Sequence, residues 1–282
     1  MAATPFLYRI SRKAAAALSG LARRRAPGGE RARVQPGRVA FVGAGPGNVE
    51  LLTLKAARLI ETAEVIVADR LVGAEVLALA PGGAEVVVAG KTGFDESWSQ
   101  ADINALIVAR GLAGRHVVRL KGGDPTVFAR LDEEVAAVEA AGLAWQVVPG
   151  ISAASAAAAG LGTGLTRRGR NDSVWLMTGH DCNGYAEHEW RELARGRSAA
   201  AIYMGKRAAT FIRGRLMMHG APADLPVTVV ENASLPGERV IATRLIDLPK
   251  TLKAEAVDGP AVLLVGIEPR HVAVRVPERE AV

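Results

Sequence analysis

The chain has a single cysteine, Cys182, among its 282 residues. One thiol can form neither an intramolecular disulfide nor a cysteine-cluster metal site, and this usage fits a reducing compartment. Histidine is also sparse: His116, His180, His188, His219 and His271 are scattered. His180 and Cys182 lie two apart, but a zinc site wants about four ligands at recognisable spacing. No metal is expected. Also missing is any run near the ~18 uninterrupted apolar residues of a membrane span; the alanine-rich stretch after Pro149 is broken repeatedly by glycine and serine. No internal repeat of fixed period is evident. What remains is a composition of 49% hydrophobic and 23% charged residues, that of a folded globular protein with enough apolar side chain for a core. The length favours two domains.

Acidic residues are lacking at one end only. Residues 1–37 hold eight basic side chains (Arg9, Arg12, Lys13, Arg23, Arg24, Arg25, Arg31, Arg33) against Glu30, while the whole chain has 35 basic and 29 acidic residues. The basic pI of 9.8 therefore belongs to this extension, and the rest is close to neutral. Such a segment is read as an organelle transit peptide, an electrostatic arm for RNA or anionic lipid, or a solvated leader without a role. The leader ranks first, and the protein is expected in the cytoplasm, with organelle targeting by residues 1–37 left open.

From Arg38 the pattern changes. Val39–Val42 is a short apolar run leading into glycine, as in a buried parallel strand. Leu51, Leu52, Leu54, Leu59 and Ile60 recur at helical spacing with Thr53 placed to cap, and Val65–Val67 forms the next strand. Further strands are expected at Glu85–Ala89, His116–Leu120 and Trp145–Val148, with helices at Gln100–Arg110 and Asp132–Ala141 between them. Alternation of this kind implies an α/β sheet. After Pro149-Gly150 the small residues Ile151–Gly164 read as a linker and packing helix. A second unit follows, with strands at Val174–Met177, Ala200–Tyr203, Val227–Glu231, Val240–Thr243 and Ala261–Val265 and a helix near Ala208–His219. The turn signal at Leu235-Pro236-Gly237 makes its sheet at least partly antiparallel. The expected organisation is an extension over 1–37, α/β domains over 38–150 and 151–268, and a tail over 269–282.

Ligands of parallel α/β sheets collect at the carboxyl ends of strands, and four loops stand out there. Gly43-Ala44-Gly45-Pro46-Gly47-Asn48 fails as a dinucleotide fingerprint, because Asn48 stands where the third glycine belongs and Pro46 lacks an N–H. Its glycines still let backbone approach a ligand. Asp69, followed by Arg70, puts a carboxylate at the end of the second strand. Arg119-Leu120-Lys121-Gly122-Gly123-Asp124-Pro125 exposes backbone and offers the Asp124 carboxylate as an acceptor. Tyr203-Met204-Gly205 follows a strand of the second unit. Taken singly, each also has a plain structural reading as a turn, a strand-ending aspartate or core.

Together with Val148-Pro149-Gly150-Ile151, Thr178-Gly179-His180 and Val230-Glu231-Asn232-Ala233, these seven ordered motifs over Arg38–Gly266 resemble the tetrapyrrole methylases, in the branch that C-methylates uroporphyrinogen III. The resemblance implies a two-domain α/β fold, a mainly parallel amino-terminal sheet, a mixed carboxyl-terminal sheet and an active-site cleft between them. It implies transfer of two methyl groups from S-adenosylmethionine (SAM) to uroporphyrinogen III on the way to sirohaem or cobalamin, without a metal, by a homodimer. Position by position it assigns SAM binding to Pro46, Gly122, Gly123, Asp124, Val127, Ser152, Ala153, Met204 and Ala233. Asp69 falls at the proton acceptor and Lys91 at the proton donor. Lys91-Thr92, Ser99-Gln100, Phe128-Ala129-Arg130-Leu131-Asp132-Glu133-Glu134 and Leu165-Thr166-Arg167-Arg168 depart from the usual family pattern and resemble the methylase half of bifunctional sirohaem synthases; only the methylase activity is expected.

The chemistry suits these residues. Methyl addition to a pyrrole carbon leaves a cationic ring that must lose a proton, which a carboxylate such as Asp69 can take. The many carboxylates of the substrate make Arg70, Arg130, Arg167 and Arg168 candidate clamps, with Arg130 and Arg168 favoured. A sister enzyme acting on a later corrin precursor, and a nucleic-acid-binding protein using residues 1–37 as a basic arm, are the competing readings.

Overall fold

A computed structural model of the protein describes residues 35–89 and 98–270. The chain divides into two compact units between Ser152 and Ala153.

In the first unit, β1 (Arg38–Gly43), β2 (Val65–Asp69), β3 (Glu85–Ala89), β4 (His116–Lys121) and β5 (Ala144–Val148) form one sheet in the order β3-β2-β4-β1-β5, every neighbouring pair parallel. Its inner strands are buried on both faces, so they read as unbroken apolar runs rather than as alternation. On one face Ala40, Val42, Ile66, Ala68, Val118 and Leu120 pack with Ala56 and Ile60 of α1 (Leu54–Glu61) and Val76 of α2 (Ala74–Leu77). On the other, Val39, Phe41, Val65, Val67 and Val117 pack with Ile103, Leu106 and Ile107 of α3 (Gln100–Leu112) and Val138 of α4 (Leu131–Ala140). Helix α1 starts where the sequence places its cap: Thr53 Oγ1 accepts from the Ala56 N–H at 3.1 Å. Leu51, expected in that helix, belongs instead to a separate 3-10 turn, because Asn48 Oδ1 accepts from the Glu50 N–H and starts a turn of its own.

The second unit begins with α5 (Ala153–Gly160) and carries β6 (Ser173–Thr178), a short hairpin β7 (His180–Asp181) and β8 (Gly184–Tyr185), α6 (Trp190–Ala194), β9 (Ser198–Tyr203), α7 (Ala209–Met218), β10 (Pro226–Glu231), β11 (Arg239–Arg244), α8 (Leu248–Ala254) and β12 (Ala261–Val265). The sheet order is β11-β10-β12-β9-β6. Strands β10, β11 and β12 pair antiparallel, β12 pairs antiparallel with β9, and β6 and β9 are parallel, so the sheet is mixed. Strands β6, β9 and β10 thus point the same way and end at one edge. Helices α6, α7 and α8 cover one face through Trp190, Leu193, Ile212, Leu216, Leu248 and Leu252. Small residues of α5, Ala154 and Ala157, cover the other beside Ala199, Ala201, Val262 and Leu264. The sequence gives no sign of α2, α6, α8 or the β7-β8 hairpin, all of seven residues or fewer. Elements this short carry too few residues for a period. Among the described residues no helix is long and apolar enough to cross a membrane.

Candidate functional site

The carboxyl edge of the first sheet is built from backbone. The Ala44 N–H donates to Lys121 O at 2.8 Å, and Gly45 and Gly123 exchange both backbone hydrogen bonds, at 3.2 and 2.7 Å. The loop after β5 closes on the same point. A Cβ added at Gly150 would lie 2.2 Å from Gly123 O and 2.9 Å from Gly43 Cα. The loops after β1, β4 and β5 are therefore knitted together at a distance only glycine allows. Gly150→Ala is expected to cost about 1–3 kcal/mol of stability by overpacking; an unchanged urea midpoint would contradict this packing. Leu71, just after β2, adds the fourth loop, since a Cβ at Gly122 would lie 3.2 Å from Leu71 Cβ.

Beneath this edge lies a cluster of charges. Arg119, Lys121 and Glu134 are all buried. The Arg119 guanidinium donates to Val67 O at 3.2 Å, to Leu120 O at 3.1 Å, to both Glu134 oxygens at 3.0–3.2 Å, and through Nη2 to Asp69 Oδ1. Glu134 Oε1 also accepts from Lys121 Nζ at 2.8 Å and from Gln100 Nε2 at 3.0 Å. Two cations thus meet two carboxylates, which is the condition for burying any of them. Burial, and next the Arg119 charge, push the Lys121 ammonium below the usual lysine range, while Asp69 and Glu134 oppose this. Asp69 is the outermost member, its side chain 32% exposed. No role for Arg119, Lys121 or Glu134 follows from the sequence reading; the available signal was the charge set inside the apolar run Val117-Val118-Arg119-Leu120-Lys121.

The other first-unit candidates fall as follows. Pro46 is half-buried in the loop after β1, and Gly122 and Gly123 are half-buried directly after β4. The Asp124 carboxylate turns on its own loop: Oδ1 accepts from the Thr126 N–H at 2.8 Å and from Thr126 Oγ1 at 2.7 Å. Its backbone carbonyl accepts from the Val127 N–H, so Asp124 shapes the loop that carries Val127. Arg70 is exposed at the end of β2. Arg130 is left-handed (φ 54°) and exposed, paired with Glu133 at 2.6 Å. Such an exposed pair is worth little and leaves the guanidinium exchangeable. Ser152 is half-buried immediately before α5. Lys91 lies outside the described residues.

The second unit gathers its motifs at the shared edge of β6, β9 and β10. The Gly179 N–H donates to Tyr203 O at 2.7 Å, His180 Nδ1 lies 3.0 Å from Met204 O, and the Asn232 N–H donates to Pro260 O at 2.9 Å. The Tyr203 hydroxyl accepts from the Ala154 N–H at 3.2 Å, which ties the first turn of α5, with Ala153, to the end of β9. Met204, Asn232 and Ser234 all have left-handed backbone (φ 53°, 53° and 67°), a conformation side chains adopt at a cost and one that concentrates at functional positions. Met204 is half exposed, and Ala233, between Asn232 and Ser234 in sequence, is buried. Arg168 stands exposed on the turn closed by the Arg167–Asn171 bridge, before β6 and so away from that edge. The structure therefore does not bring Arg168 to the edge that carries Met204 and Ala233. Among the described residues no group of three or more histidine, cysteine, aspartate or glutamate side chains could hold a metal ion.

Comparison with known proteins gives consistent matches. The family of tetrapyrrole (corrin/porphyrin) methylases matches residues 38–249. The uroporphyrinogen-III C-methyltransferase of Paracoccus denitrificans is 42% identical over 259 residues, 92% of this chain and 89% of that protein. A siroheme synthase of Gluconacetobacter diazotrophicus is 43% identical over 86% of this chain, which spans only 52% of that longer protein. Among solved structures, a uroporphyrin-III C-methyl transferase from Thermus thermophilus complexed with S-adenosyl homocysteine superposes with a TM-score of 0.69 at 39% identity, covering 82% of this chain and 92% of that one. A cobalt precorrin-4 methyltransferase of cobalamin biosynthesis gives a TM-score of 0.74 at 25% identity, over 84% and 98%.

Proposed function

The chain belongs to the tetrapyrrole methylase family, and from that premise we propose that it methylates two ring carbons of uroporphyrinogen III with SAM, giving precorrin-2 by way of precorrin-1. One observation carries the reading: 42% identity over 92% of the chain to a uroporphyrinogen-III C-methyltransferase. The assembly proposed is a cytoplasmic homodimer whose product feeds sirohaem or cobalamin.

The residues present fit the methyl donor. The knitted loops around Gly43, Gly123 and Gly150 leave backbone where a side chain would stand, and Gly179 approaches the Met204-Gly205 backbone in the same way, a Cβ there lying 2.7 Å from Met204 O. In this proposal Pro46, Gly122, Gly123, Asp124 and Val127 of the first unit, with Ser152, Ala153, Met204 and Ala233, hold SAM. Bound SAM supplies an activated methyl group. The chain's own task is alignment and exclusion of water. Asp69 takes the proton that the methylated ring gives up, Lys91 occupies the position that the family resemblance assigns to the proton donor, and Arg70, Arg130 and Arg168 pair with substrate carboxylates. For Arg130 support comes from its exchangeable partner Glu133; for Arg168 it comes from the family resemblance alone.

Incubation with SAM and uroporphyrinogen III, followed by mass spectrometry of the tetrapyrrole, tests the proposal. The expected product carries two additional methyl groups. A product with one added methyl at saturation, or methylation only of a later corrin precursor, would assign the chain to a sister activity of the family.

A further inference from the structure

We infer that Arg119 is a positioning residue for the methylation, fixing the Asp69 carboxylate in place through a guanidinium that Glu134 in turn anchors. The inference rests on the proposed role of Asp69. Arg119 stands in β4 directly opposite Val67 of β2. Its Nη1 is held by Val67 O and Leu120 O, and its Nε by Glu134, with only 2% of the side chain exposed. Three sides of the planar group are thus fixed. The remaining direction, along Nη2, points to Asp69 Oδ1. Glu134 is itself immobilised by Lys121 from β4 and Gln100 from α3. Among the charged members of this chain of contacts Arg119, Lys121 and Glu134 are buried and Asp69 reaches solvent, so the rigidity of the interior is delivered to one partly exposed carboxylate.

Stability is a poor reason for this arrangement. Buried ion pairs often contribute no more than apolar residues of the same volume. A group that fixes geometry is a better one, because a misplacement of about 1 Å can cost about a hundredfold in rate. Arginine is required by the fork: an ammonium at this position cannot face Val67 O, Leu120 O, Glu134 and Asp69 together.

The test is a double-mutant cycle on the full chain, comparing wild type, Arg119→Lys, Asp69→Asn and the double variant. Circular dichroism checks folding, calorimetry gives SAM affinity, and initial rates give kcat and KM. Arg119→Lys is expected to lower kcat by about 10- to 100-fold, with KM and SAM affinity nearly unchanged, and to lower it no further once Asp69 is asparagine. A merely structural role predicts the same factor in both backgrounds, and that outcome, or an unchanged kcat in Arg119→Lys, overturns the inference while leaving Asp69 as the base. Wild-type kcat in Asp69→Asn overturns the base and this inference together. Should Arg119→Lys fail to fold, Gln100→Ala loosens the same anchor more gently. Its fall in kcat, smaller than that of Arg119→Lys because Glu134 keeps Arg119 and Lys121, is expected to vanish in the Asp69→Asn background, and persistence there overturns the inference equally.

Discussion

Glu134→Gln is expected to destabilise the protein by about 3–5 kcal/mol, the usual cost of leaving a buried charge without its partner. The variant keeps volume and one acceptor oxygen but removes the charge that two buried cations share, Arg119 at 3.0 Å and Lys121 at 2.8 Å. Against a total stability of about 5–15 kcal/mol, such a loss leaves a protein close to its unfolding threshold. Urea denaturation measures it, and a midpoint equal to wild type would mean that the network is not closed as described. Breaking the network and replacing it are different experiments. A triple variant, Arg119→Met with Lys121→Met and Glu134→Leu, removes all three charges and is expected to regain much of the lost stability without regaining activity.

Asp69→Asn is expected to lower turnover by ~10²–10⁴, the usual contribution of a positioned general base, while SAM affinity barely moves. Asparagine keeps the shape of aspartate, and its carbonyl oxygen still accepts from Arg119 Nη2, so the loop after β2 has reason to hold its conformation. What it lacks is basicity. The side chain is 32% exposed, so the charge removed is partly solvated and its loss costs less than the loss of Glu134. If Asp69 only ends a strand, the variant is less stable and the molecules that remain folded turn over normally. Wild-type rates for both methylations in a well-folded Asp69→Asn protein would leave Asp69 as scaffold.

Much of this architecture was legible in the sequence, for a physical reason. Strands buried on both faces are continuously apolar, so Val65–Asp69 in the parallel sheet and Ala261–Val265, antiparallel to both its neighbours, announce themselves, and the chemistry of parallel sheets sits in the loops that follow. Those loops were the ones singled out. The interior charges were not assigned, because Glu134 meets Arg119 and Lys121 only when α4 packs back on β4, 13 to 15 residues away along the chain. Two candidates have surroundings that the sequence does not display. Asp124, offered as an acceptor for a ligand, has Oδ1 committed to Thr126, a local turn preference that a motif match does not display. Arg168, grouped with the clamps, stands on a turn before β6 rather than at the edge where β6 ends.

The strand order of the second sheet has a consequence for how the protein is made. Strand β12, the last described in the chain, lies in the middle of the order β11-β10-β12-β9-β6. Until it has left the ribosome, β9 and β10 have no neighbour in common, and each presents an unpaired edge open to aggregation. The first unit has no such dependence, since β1 sits between β4 and β5 and waits for nothing beyond Val148. Premature termination between Ala233 and Ala261 would therefore release a chain whose first sheet can close and whose second cannot, with Met204 and Ala233 following strands that nothing joins.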